Sequence, residues 1–390
     1  MSNENKNKIK VGLVIDGFYP HIDGVVITVL NYIKFLKETC DVTLITSRPL
    51  NKKDLAYYDN LDCKVILCPT LPVIKLQGNP VPIVTKKFLN KVLSENFDCL
   101  HIHSLFTIAN TILKKLKSKM PNTLFITTMH ARYISDFNRY LPNFISKMLF
   151  KNIVKRINDC HTVFNINKKM EEFYVNSGVT TKSIIVENGT SLEMPESLKG
   201  KQKEYNNNLL FVGRLIQGKG IFLIAKALGI LKQNGIQCTM HFVGEGPDSN
   251  KLKKLCKKLG IENQVVFYGK ITDREKIAQL YFDSSLFLFP SFYDCDCLVK
   301  REAAMFNTPT IFVEDTITSS GIIDNQNGFL TKNCQNDFAQ KLTELLNNKQ
   351  LISKVGEQAN KSLTLSWKQT IENASNIYKT QIQELKKAID

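Results

Sequence analysis

Two blocks of alternating strand-like and helical patterns constrain the fold of this chain more than any other feature. In each block, short apolar runs of strand length are separated by stretches with apolar residues at helical spacing. The strand-like segments cover residues 10–16, 41–47, 63–69, 99–104 and 123–130, and then 208–214, 238–244, 264–270, 285–290 and 308–314. This rhythm is typical of βαβ units, so each block predicts a doubly wound, parallel α/β sheet.

A polar stretch between the blocks predicts a domain boundary. The rhythm stops near Glu187, and the following ENGTSLEMPESLKGKQKEYNNN is mostly polar, with Gly and Pro. We therefore predict an N-terminal domain over residues 1–190, a linker over 191–207, a C-terminal domain over 208–366 and a terminal helix over 367–390. Because open parallel sheets bind ligands beyond the carboxyl ends of their strands, two facing domains would put a site in a central cleft.

The composition indicates where such a chain works. It has 390 residues, no apolar run long enough to span a bilayer, and a polar start, MSNENKNKIK, without the apolar core of a signal peptide. Its ten cysteines are scattered and include no CxxC pair, as in proteins whose thiols stay reduced. We therefore expect a cytoplasmic protein.

The net charge of +16 is concentrated in the first block. Residues 1–190 hold 26 Lys and Arg against 15 Asp and Glu, whereas residues 191–390 hold 26 against 21. A basic half suits an anionic membrane surface, an anionic ligand or nucleic acid. The basic residues form no stripe interleaved with aromatics and no nucleic-acid module, so we expect no nucleic-acid partner.

The segment over residues 289–310 combines acidic side chains with a helix start. After an apolar strand, a loop carries Asp294, and a helix begins near Leu298 and contains Glu302. The first N–H groups of such a helix, here those of Leu298 and Val299, suit an anion such as phosphate. Carboxylates instead accept hydrogen bonds from hydroxyls. Recognition of phosphate and hydroxyls together indicates a nucleotide-sugar.

A second motif, VGRLIQGKG, adds two cations at a strand end. Arg214 follows the strand and Lys219 precedes the next helix, and Gly213 bends the backbone. Arg can fork onto two phosphate oxygens while Lys acts as a mobile point charge, so the pair predicts a grip for a diphosphate. The turn after the next strand, VGEGP, contains Gly244 and permits close approach of a nucleotide, although a purely structural turn explains it equally well.

Two features of the first block can reach a ligand. Gly24 opens a helix and leaves room near its N–H groups, whereas the preceding Asp23 is explained by helix capping alone. His101 and His103 alternate along one strand, and His130 ends another. Because no acidic or cysteine ligand lies at a suitable spacing, we predict hydrogen bonding by His130 rather than a metal site.

Residues 143–157 predict an amphipathic, basic helix. We assign one apolar side to Phe144, Met148, Leu149, Ile153 and Ile157, and the opposite side to Lys147, Lys151 and Lys155. Such a helix can lie on an anionic membrane, or it can bury its apolar stripe in the domain core.

Taken in order, these motifs resemble those of the family-4 glycosyltransferases over nearly the whole chain. They are DGFYPHIDGV (16–25), HIHS (101–104), T-x-H (128–130), NG (188–189), GRL with KG (213–220), VGEGP (243–247), PS with two acidic positions (290–302), NGF (327–329) and SW (366–367). The resemblance implies a GT-B architecture, with two Rossmann-like domains facing a central cleft. It also implies a retaining enzyme. Because Arg214 and Lys219 can replace a metal ion at the diphosphate, we predict that neither a metal ion nor another cofactor is needed.

The resemblance implies a role for each matching residue. Arg214 and Lys219 would hold the donor diphosphate and stabilise the leaving nucleotide, Glu302 would bond the ribose, and Asp294 would touch the donor sugar. The glycines at 213 and 244 and the N–H groups at 298 and 299 would complete the donor site. In the first domain, Gly24 would let a loop reach the phosphate or sugar, His130 would face the reacting sugar, and the terminal helix would pack on this domain.

Two positions depart from the family pattern. Asp294 replaces the usual Glu and is one methylene shorter, and Ser320 stands where the family often has Glu. These changes affect the choice of donor sugar, which the resemblance therefore leaves open.

The expected function is transfer of a hexose from a UDP-sugar, more readily than from a GDP-sugar, to a membrane glycolipid or a cell-envelope glycan precursor. Such an acceptor would bring the protein to the cytoplasmic face of a membrane. Three alternatives stay open: transfer to a soluble acceptor, a nucleotide-sugar epimerase of the same fold, and a protein that binds the nucleotide without turnover.

Overall fold

A computed structural model describes residues 8–21, 23–76, 79–292 and 294–389, with side chains described for all of these except 73–76 and 79. Backbone contacts divide the chain into two compact units. The first comprises the described residues up to Asn188 together with those from Trp367 onward, and the second comprises Gly189–Ser366.

The first unit contains nine strands and eight helices among the described residues. Its strands are β1 (Ile9–Val14), β2 (Cys40–Ser47), β3 (Lys64–Cys68), β4 (Thr70–Leu76), β5 (Asn79–Pro82), β6 (Cys99–Ile102), β7 (Leu124–Met129), β8 (Thr162–Asn165) and β9 (Lys182–Ile185). Its helices are α1 (Gly24–Leu36), α2 (Leu55–Asp59), α3 (Lys86–Leu93), α4 (Thr107–Lys115), α5 (Tyr133–Tyr140), α6 (Asn143–Asn158), α7 (Lys168–Asn176) and, from the end of the chain, α14 (Trp367–Ile389).

The main sheet of the first unit is parallel and has the order β3-β2-β1-β6-β7-β8-β9. Chain order reverses direction at β1, and β6 follows on its other side, which is the doubly wound pattern with a switch point. β6, β7 and β8 are buried along their whole length because helices cover both faces of such a sheet. β4 and β5 form a separate antiparallel pair.

The second unit repeats this plan with six strands and six helices among the described residues. Its strands are β10 (Asn208–Val212), β11 (Thr239–Val243), β12 (Val265–Gly269), β13 (Leu286–Leu288), β14 (Thr310–Val313) and β15 (Phe329–Thr331). Its helices are α8 (Ile221–Gln233), α9 (Ser249–Lys258), α10 (Arg274–Asp283), α11 (Leu298–Met305), α12 (Gln335–Leu346) and α13 (Lys349–Leu363). The parallel sheet has the order β12-β11-β10-β13-β14-β15, with its switch point between β10 and β13.

The doubly wound α/β class predicted from the alternation is confirmed, and every predicted strand is present. Two short strands of the first sheet, β8 and β9, and the last strand of the second sheet, β15, were not predicted. Each contains only two apolar residues, one fewer than the equally short β6, β13 and β14, so no apolar run marks it.

The polar stretch after Glu187 belongs to the second unit rather than standing apart from it. The unit begins at Gly189, and two leucines within the stretch, Leu192 and Leu198, are each only 2% exposed in its hydrophobic core. Isolated apolar side chains in a polar segment anchor it without creating a periodic pattern.

The terminal helix α14 completes the first unit. Trp367 and Tyr378 are buried, and Gln381 accepts a hydrogen bond of 2.8 Å from the hydroxyl of Thr162 on β8. The hydroxyl of Thr370 donates to the carbonyl of Glu187 at 3.0 Å. The first unit is therefore built from two separate stretches of the chain.

Asp16 links the end of β1 to the start of α4 through hydrogen bonds. Its carboxylate accepts hydrogen bonds from the backbone N–H groups of Thr107 and Ile108, and its own N–H donates to Ser104 at 2.8 Å. Burial raises the pKa of this carboxyl from 3.8 to about 7, although the backbone hydrogen bonds at Thr107, Ile108 and Ala109 act in the opposite direction. The first acidic residue of the DGFYPHIDGV motif therefore has a structural role as a remote helix cap.

We expect Asp16 to make the stability of the protein fall as pH rises. Because the folded-state pKa lies above the unfolded one, the folded state holds the extra proton between about pH 4 and about pH 7, and stability is lost across that window. The full difference amounts to about 4 kcal/mol. Urea unfolding at several pH values should show a flatter profile for Asp16→Asn than for the wild type, whereas the exposed control Asp41→Asn should follow the wild type.

Candidate functional site

The loop after β10 carries both predicted cations of the second unit. Gly213 has a φ of 156°, the side chain of Arg214 is exposed, and a 3-10 turn over Gln217–Lys219 leads into Gly220. Gly220 adopts a φ of 74°, in the left-handed region, and α8 begins at the next residue. This conformation is open to glycine at little cost and turns the chain sharply enough to bring Lys219 back towards the sheet.

Two glycines hold neighbouring loops against this one. A Cβ on Gly220 would lie 2.4 Å from the carbonyl oxygen of Pro290, which follows β13. A Cβ on Gly244, at the end of β11, would lie 2.0 Å from the carbonyl oxygen of Gly213. Both contacts are with backbone, which cannot move aside as a side chain can. The loops after β10, β11 and β13 thus pack directly on each other at the carboxyl edge of the sheet.

Replacing Gly220 by alanine should destabilise the second unit more than a left-handed conformation alone accounts for. Gly235 has the same φ of 74° but no atom within 4 Å of its Cβ position, so it is a matched control. We expect Gly235→Ala to cost about 1 kcal/mol of unfolding free energy. Gly220→Ala should cost about 1–3 kcal/mol more because of the added clash. Equal urea midpoints for the two variants would contradict the close approach.

Lys219 and Asp294 form an ion pair across these loops. Lys219 Nζ lies 3.0 Å from each carboxylate oxygen of Asp294, and the two side chains are 16% and 18% exposed. The hydroxyl of Ser291 donates to Asp294 at 2.6 Å, and the ammonium of Lys219 lies 5.1 Å from the ring centre of Phe289. The cation is thereby held in one position rather than left on a mobile side chain.

The start of α11 lies directly after the Asp294 loop. The helix begins at Leu298, and its N-cap residue, Cys297, accepts no hydrogen bond through its side chain. The N–H groups of Leu298 and Val299 belong to the first turn, where an α-helix offers no backbone acceptor, so they are available to an anion. The sequence-predicted phosphate site is thus compatible with the local geometry.

Glu302 is held by two residues of α10. Its carboxylate accepts a hydrogen bond from Tyr281 Oη at 3.1 Å and pairs with a guanidinium nitrogen of Arg274 at 3.2 Å. The Glu302 side chain is 12% exposed. A carboxylate can accept about four hydrogen bonds, so capacity remains for hydroxyls of a ligand.

Three histidines of the first unit lie near the carboxyl ends of β6 and β7, where His103 contacts both His101 and His130. His103 Nδ1 lies 3.1 Å from His130 Nε2, with the two rings stacked at a centroid distance of 5.4 Å. His101 is fully buried; its Nε2 lies 2.6 Å from the Thr128 hydroxyl and its Nδ1 lies 2.6 Å from the Tyr378 hydroxyl on α14. Burial lowers the pKa of both His101 and His103, so both rings are neutral at physiological pH.

Gly24 begins α1 in an exposed position. Asp23 caps the helix by accepting hydrogen bonds of 2.9 Å from the N–H groups of Val25 and Val26. A Cβ at Gly24 would meet no atom within 4 Å, and its φ is not positive. The backbone of this unit therefore does not itself demand a glycine here.

Helix α6 distributes its side chains differently from the prediction. Phe144 and Met148 are 75% and 63% exposed, whereas Ile153 and Ile157 are buried. At 100° per residue these pairs lie on opposite faces, and the three lysines at 147, 151 and 155 share the exposed face with Phe144 and Met148. The prediction of one continuous apolar side opposite the lysines was wrong.

Comparison with known proteins identifies the family. A model described as "Glycosyltransferase Family 4" matches residues 22–194, and one described as "Glycosyl transferases group 1" matches residues 195–362. The chain belongs to the family-4 glycosyltransferases. The alpha-monoglucosyldiacylglycerol synthase of Acholeplasma laidlawii is 24% identical to this glycosyltransferase, over 90% of this chain and 92% of the relative.

Solved structures of similar proteins support the same architecture. A glycosyltransferase from Rickettsia africae superposes with a TM-score of 0.72 at 20% identity, covering 97% of this chain and 99% of its own. Anabaena HepE in complex with UDP-glucose superposes with a TM-score of 0.69 at 14% identity, covering 95% of this chain and 100% of its own. The GT-B architecture expected for this glycosyltransferase is thereby confirmed.

Several residues that contact the candidate site of this glycosyltransferase were not predicted. Arg274 and Tyr281 are seven positions apart and so lie on one face of α10, a spacing that could have indicated a shared partner. Ser291 lies three residues after β13, and the sequence marks it only as part of the PS motif, without indicating its hydrogen bond to Asp294. His103 was noted for its alternation with His101, and its contact with His130 depends on the pairing of β6 with β7.

Ser320, the second departure from the family pattern, is contacted by a buried lysine in this glycosyltransferase. Lys300 is only 3% exposed, and its ammonium donates to the carbonyl oxygen of Ser320 at 3.3 Å. A lysine of α11 therefore holds the backbone of the loop in which the family's usual carboxylate would stand.

Two further observations concern the described residues of this glycosyltransferase only. No helix among them combines the length and the apolarity needed to cross a membrane. They also contain no group of three or more His, Cys, Asp and Glu side chains arranged to hold a metal ion.

Proposed function

We propose that this glycosyltransferase transfers a hexose from a UDP-sugar to a lipid-linked acceptor, a glycolipid or a cell-envelope glycan precursor, with retention of the anomeric configuration and without a metal ion. The observation that supports it most is the held cation: Lys219 pairs with Asp294 beside the first turn of α11. A fixed positive charge next to free helix N–H groups is suited to a diphosphate whose negative charge grows during the reaction.

The donor would be bound by the second unit. Arg214, Lys219 and the N–H groups of Leu298 and Val299 would contact the diphosphate, and Glu302 would accept hydrogen bonds from the ribose hydroxyls. The Asp294 carboxylate would accept from a hydroxyl of the sugar. Anabaena HepE, which has the same fold, holds UDP-glucose, and this supports UDP as the first nucleotide to test.

The transfer step would need no protein nucleophile. The bond between the anomeric carbon and the phosphate oxygen would break with its electron pair passing to the diphosphate. The acceptor hydroxyl would bond to the same face of that carbon, and its proton would pass to the departing phosphate oxygen. His130 would hydrogen-bond the reacting sugar. The charge that develops on the diphosphate would be stabilised by Arg214 and Lys219, so no divalent cation is needed.

The surface of α6 supports an acceptor at a membrane. Phe144 and Met148 project on the same face as Lys147, Lys151 and Lys155, and all five side chains are exposed. Apolar tips can enter the headgroup region while the lysines contact anionic lipid. The Acholeplasma relative is named for a glucosyldiacylglycerol, which is a lipid product.

Removing the two apolar tips should release the protein from anionic vesicles. With Phe144→Ser and Met148→Ser combined, we expect binding to vesicles of mixed neutral and anionic lipid to fall about tenfold or more, because each buried apolar side chain contributes about 1.5 kcal/mol or more. Flotation in low salt measures this. The control replaces Val175, an exposed apolar residue of α7, by Ser and should float like the wild type. Wild-type protein that fails to float would contradict a membrane acceptor.

A donor and acceptor screen tests the proposed activity itself. The purified protein is incubated with UDP- and GDP-hexoses, with and without a lipid extract, and both released nucleotide and glycosylated lipid are measured. We expect lipid-dependent release of UDP that survives EDTA, and NMR of the product should show the anomeric configuration of the donor. Release of an epimer or of free sugar without lipid would favour an epimerase instead. Loss of activity in EDTA that Mg²⁺ or Mn²⁺ restores would contradict metal independence.

A further inference from the structure

The contact between His103 and His130 requires one of the two rings to donate a hydrogen bond to the other. The bond joins His103 Nδ1 to His130 Nε2 at 3.1 Å. A neutral imidazole carries one N–H and one bare nitrogen, so the direction of this hydrogen bond determines which nitrogen of each ring is protonated.

The environment of His103 determines the direction of its hydrogen bond with His130. Its side chain is 1% exposed, and its Nε2 is buried without a hydrogen-bond partner among the described residues. The ring of Tyr32 meets it edge-on at 5.1 Å and the ring of His101 lies at 4.1 Å, and neither ring bonds Nε2. His101, by contrast, has a hydroxyl within 2.6 Å of each ring nitrogen.

A proton on Nε2 of His103 would be a buried donor without an acceptor. Such orphaned donors are rarer and less tolerated than a bare acceptor nitrogen. A doubly protonated His103 would add a buried charge, and the lowered pKa of this ring argues in the same direction. The favourable arrangement therefore keeps the proton of His103 on Nδ1, where it can be donated to His130.

We propose that His103 fixes the tautomer of His130: His103 donates from Nδ1 to Nε2 of His130, so His130 is neutral and carries its own proton on Nδ1. His103 is then a positioning residue. The role of His130 at the reacting sugar rests on the proposed function. In that role its Nε2, which accepts from His103, does not act as a base.

The tautomer can be read directly by NMR. The chain has six histidines, so the full-length protein labelled with ¹⁵N only at histidine gives a small set of signals. We expect His130 to show a protonated Nδ1 and an unprotonated Nε2, and His103 to show the same. Assignment uses His130→Gln for loss of its signals and His241→Gln as a control, because His241 lies on β11 in the other unit. A protonated Nε2 on His130 in the wild type would overturn the proposal.

Two substitutions at His103 separate positioning from packing. The amide of His103→Asn can donate from about the place of Nδ1, whereas His103→Leu fills space without donating. We expect His103→Leu to lower kcat of sugar transfer about tenfold, the effect of one hydrogen bond worth about 1.4 kcal/mol, with little change in KM for the donor. His103→Asn should keep most of the wild-type kcat. An Asn variant as slow as the Leu variant would overturn the positioning role.

These readouts distinguish failure of this proposal from failure of the proposed function. If no donor supports transfer, the proposed function fails, yet the ¹⁵N signals of His130 still decide the tautomer. If transfer occurs but His130 carries its proton on Nε2, only the tautomer proposal fails. The wild-type and Asn spectra suffice even if the Leu variant does not fold.

Discussion

Replacing Lys219 by alanine should lower kcat for sugar transfer by about 10²- to 10³-fold, the usual loss when one fixed charge or donor is removed from a reacting oxyanion. The reason lies in its contact with Asp294, whose two oxygens are each 3.0 Å from Nζ. Without the ammonium, the leaving diphosphate loses a positive charge and faces an uncompensated carboxylate. Arg214→Ala removes the second cation, from an exposed position, and should have a comparable effect on turnover with the fold intact.

A double variant tests whether the charge of Asp294 contributes to the loss. Asp294→Asn in the Lys219→Ala background removes the repelling charge, so this double variant should be faster than Lys219→Ala alone. The measurement is steady-state release of the nucleotide at saturating donor. Lys226→Ala, an exposed lysine on α8 of the same unit, is the control and should keep wild-type turnover. A Lys219→Ala enzyme with near-normal kcat would remove the basis for the proposed donor site.

The second large effect is expected on donor affinity. Glu302→Gln should weaken binding of UDP by about 10²-fold, because hydrogen bonds to a charged acceptor contribute about 1.5–3 kcal/mol and each 1.4 kcal/mol is a factor of ten. The glutamine amide would also present N–H groups to Arg274 or to the Tyr281 hydroxyl, both of which donate to the wild-type carboxylate. Titration calorimetry with UDP measures the change.

Three comparisons make this result specific to the ribose contact. Glu275→Gln makes the same chemical change at an exposed position in the first turn of α10 and should bind UDP normally. Tyr281→Phe keeps the buried ring but removes one donor to Glu302, so it should weaken UDP binding by less than Glu302→Gln. Uridine, which lacks the diphosphate, should lose affinity for Glu302→Gln by the same factor as UDP. Unchanged affinity of Glu302→Gln for both ligands would mean that this carboxylate binds nothing on the donor.

The sequence predicted the fold because doubly wound sheets carry their signal locally. Each central strand is a short apolar run, and each helix is an adjacent stretch with helical periodicity. These patterns can be read without knowing which strands pair in the sheet. Strands with only two apolar residues, such as β15, and buried leucines in a polar stretch, such as Leu192, lack that local signal. Their assignment depends on packing between segments distant in the chain.

The sequence predicts candidate site residues but not the contacts that hold them. Strand ends and a helix start predict four candidates, Arg214, Lys219, Asp294 and Glu302. That Lys219 pairs with Asp294, 75 positions away, follows from the adjacency of β10 and β13 at the switch point, which no local pattern expresses.

The prediction of the faces of α6 was wrong for a simpler reason. The prediction places Met148 and Ile153 on one side, yet the step between them is five residues and turns by about 140° around the helix. Ile153 and Ile157 are buried, whereas Phe144 and Met148 lie on an exposed face together with the three lysines.

Because the first unit is assembled from two separate stretches of chain, it cannot be completed until α14 has been synthesised. A ribosome that has released residues 1–188 has not yet made α14, whose Tyr378 bonds His101 and whose Gln381 bonds β8. The 178 residues of the second unit must emerge first. The half of the molecule that is translated earliest is therefore the last to be completed, and until then the surfaces of α1 and β7 that contact α14 stay uncovered.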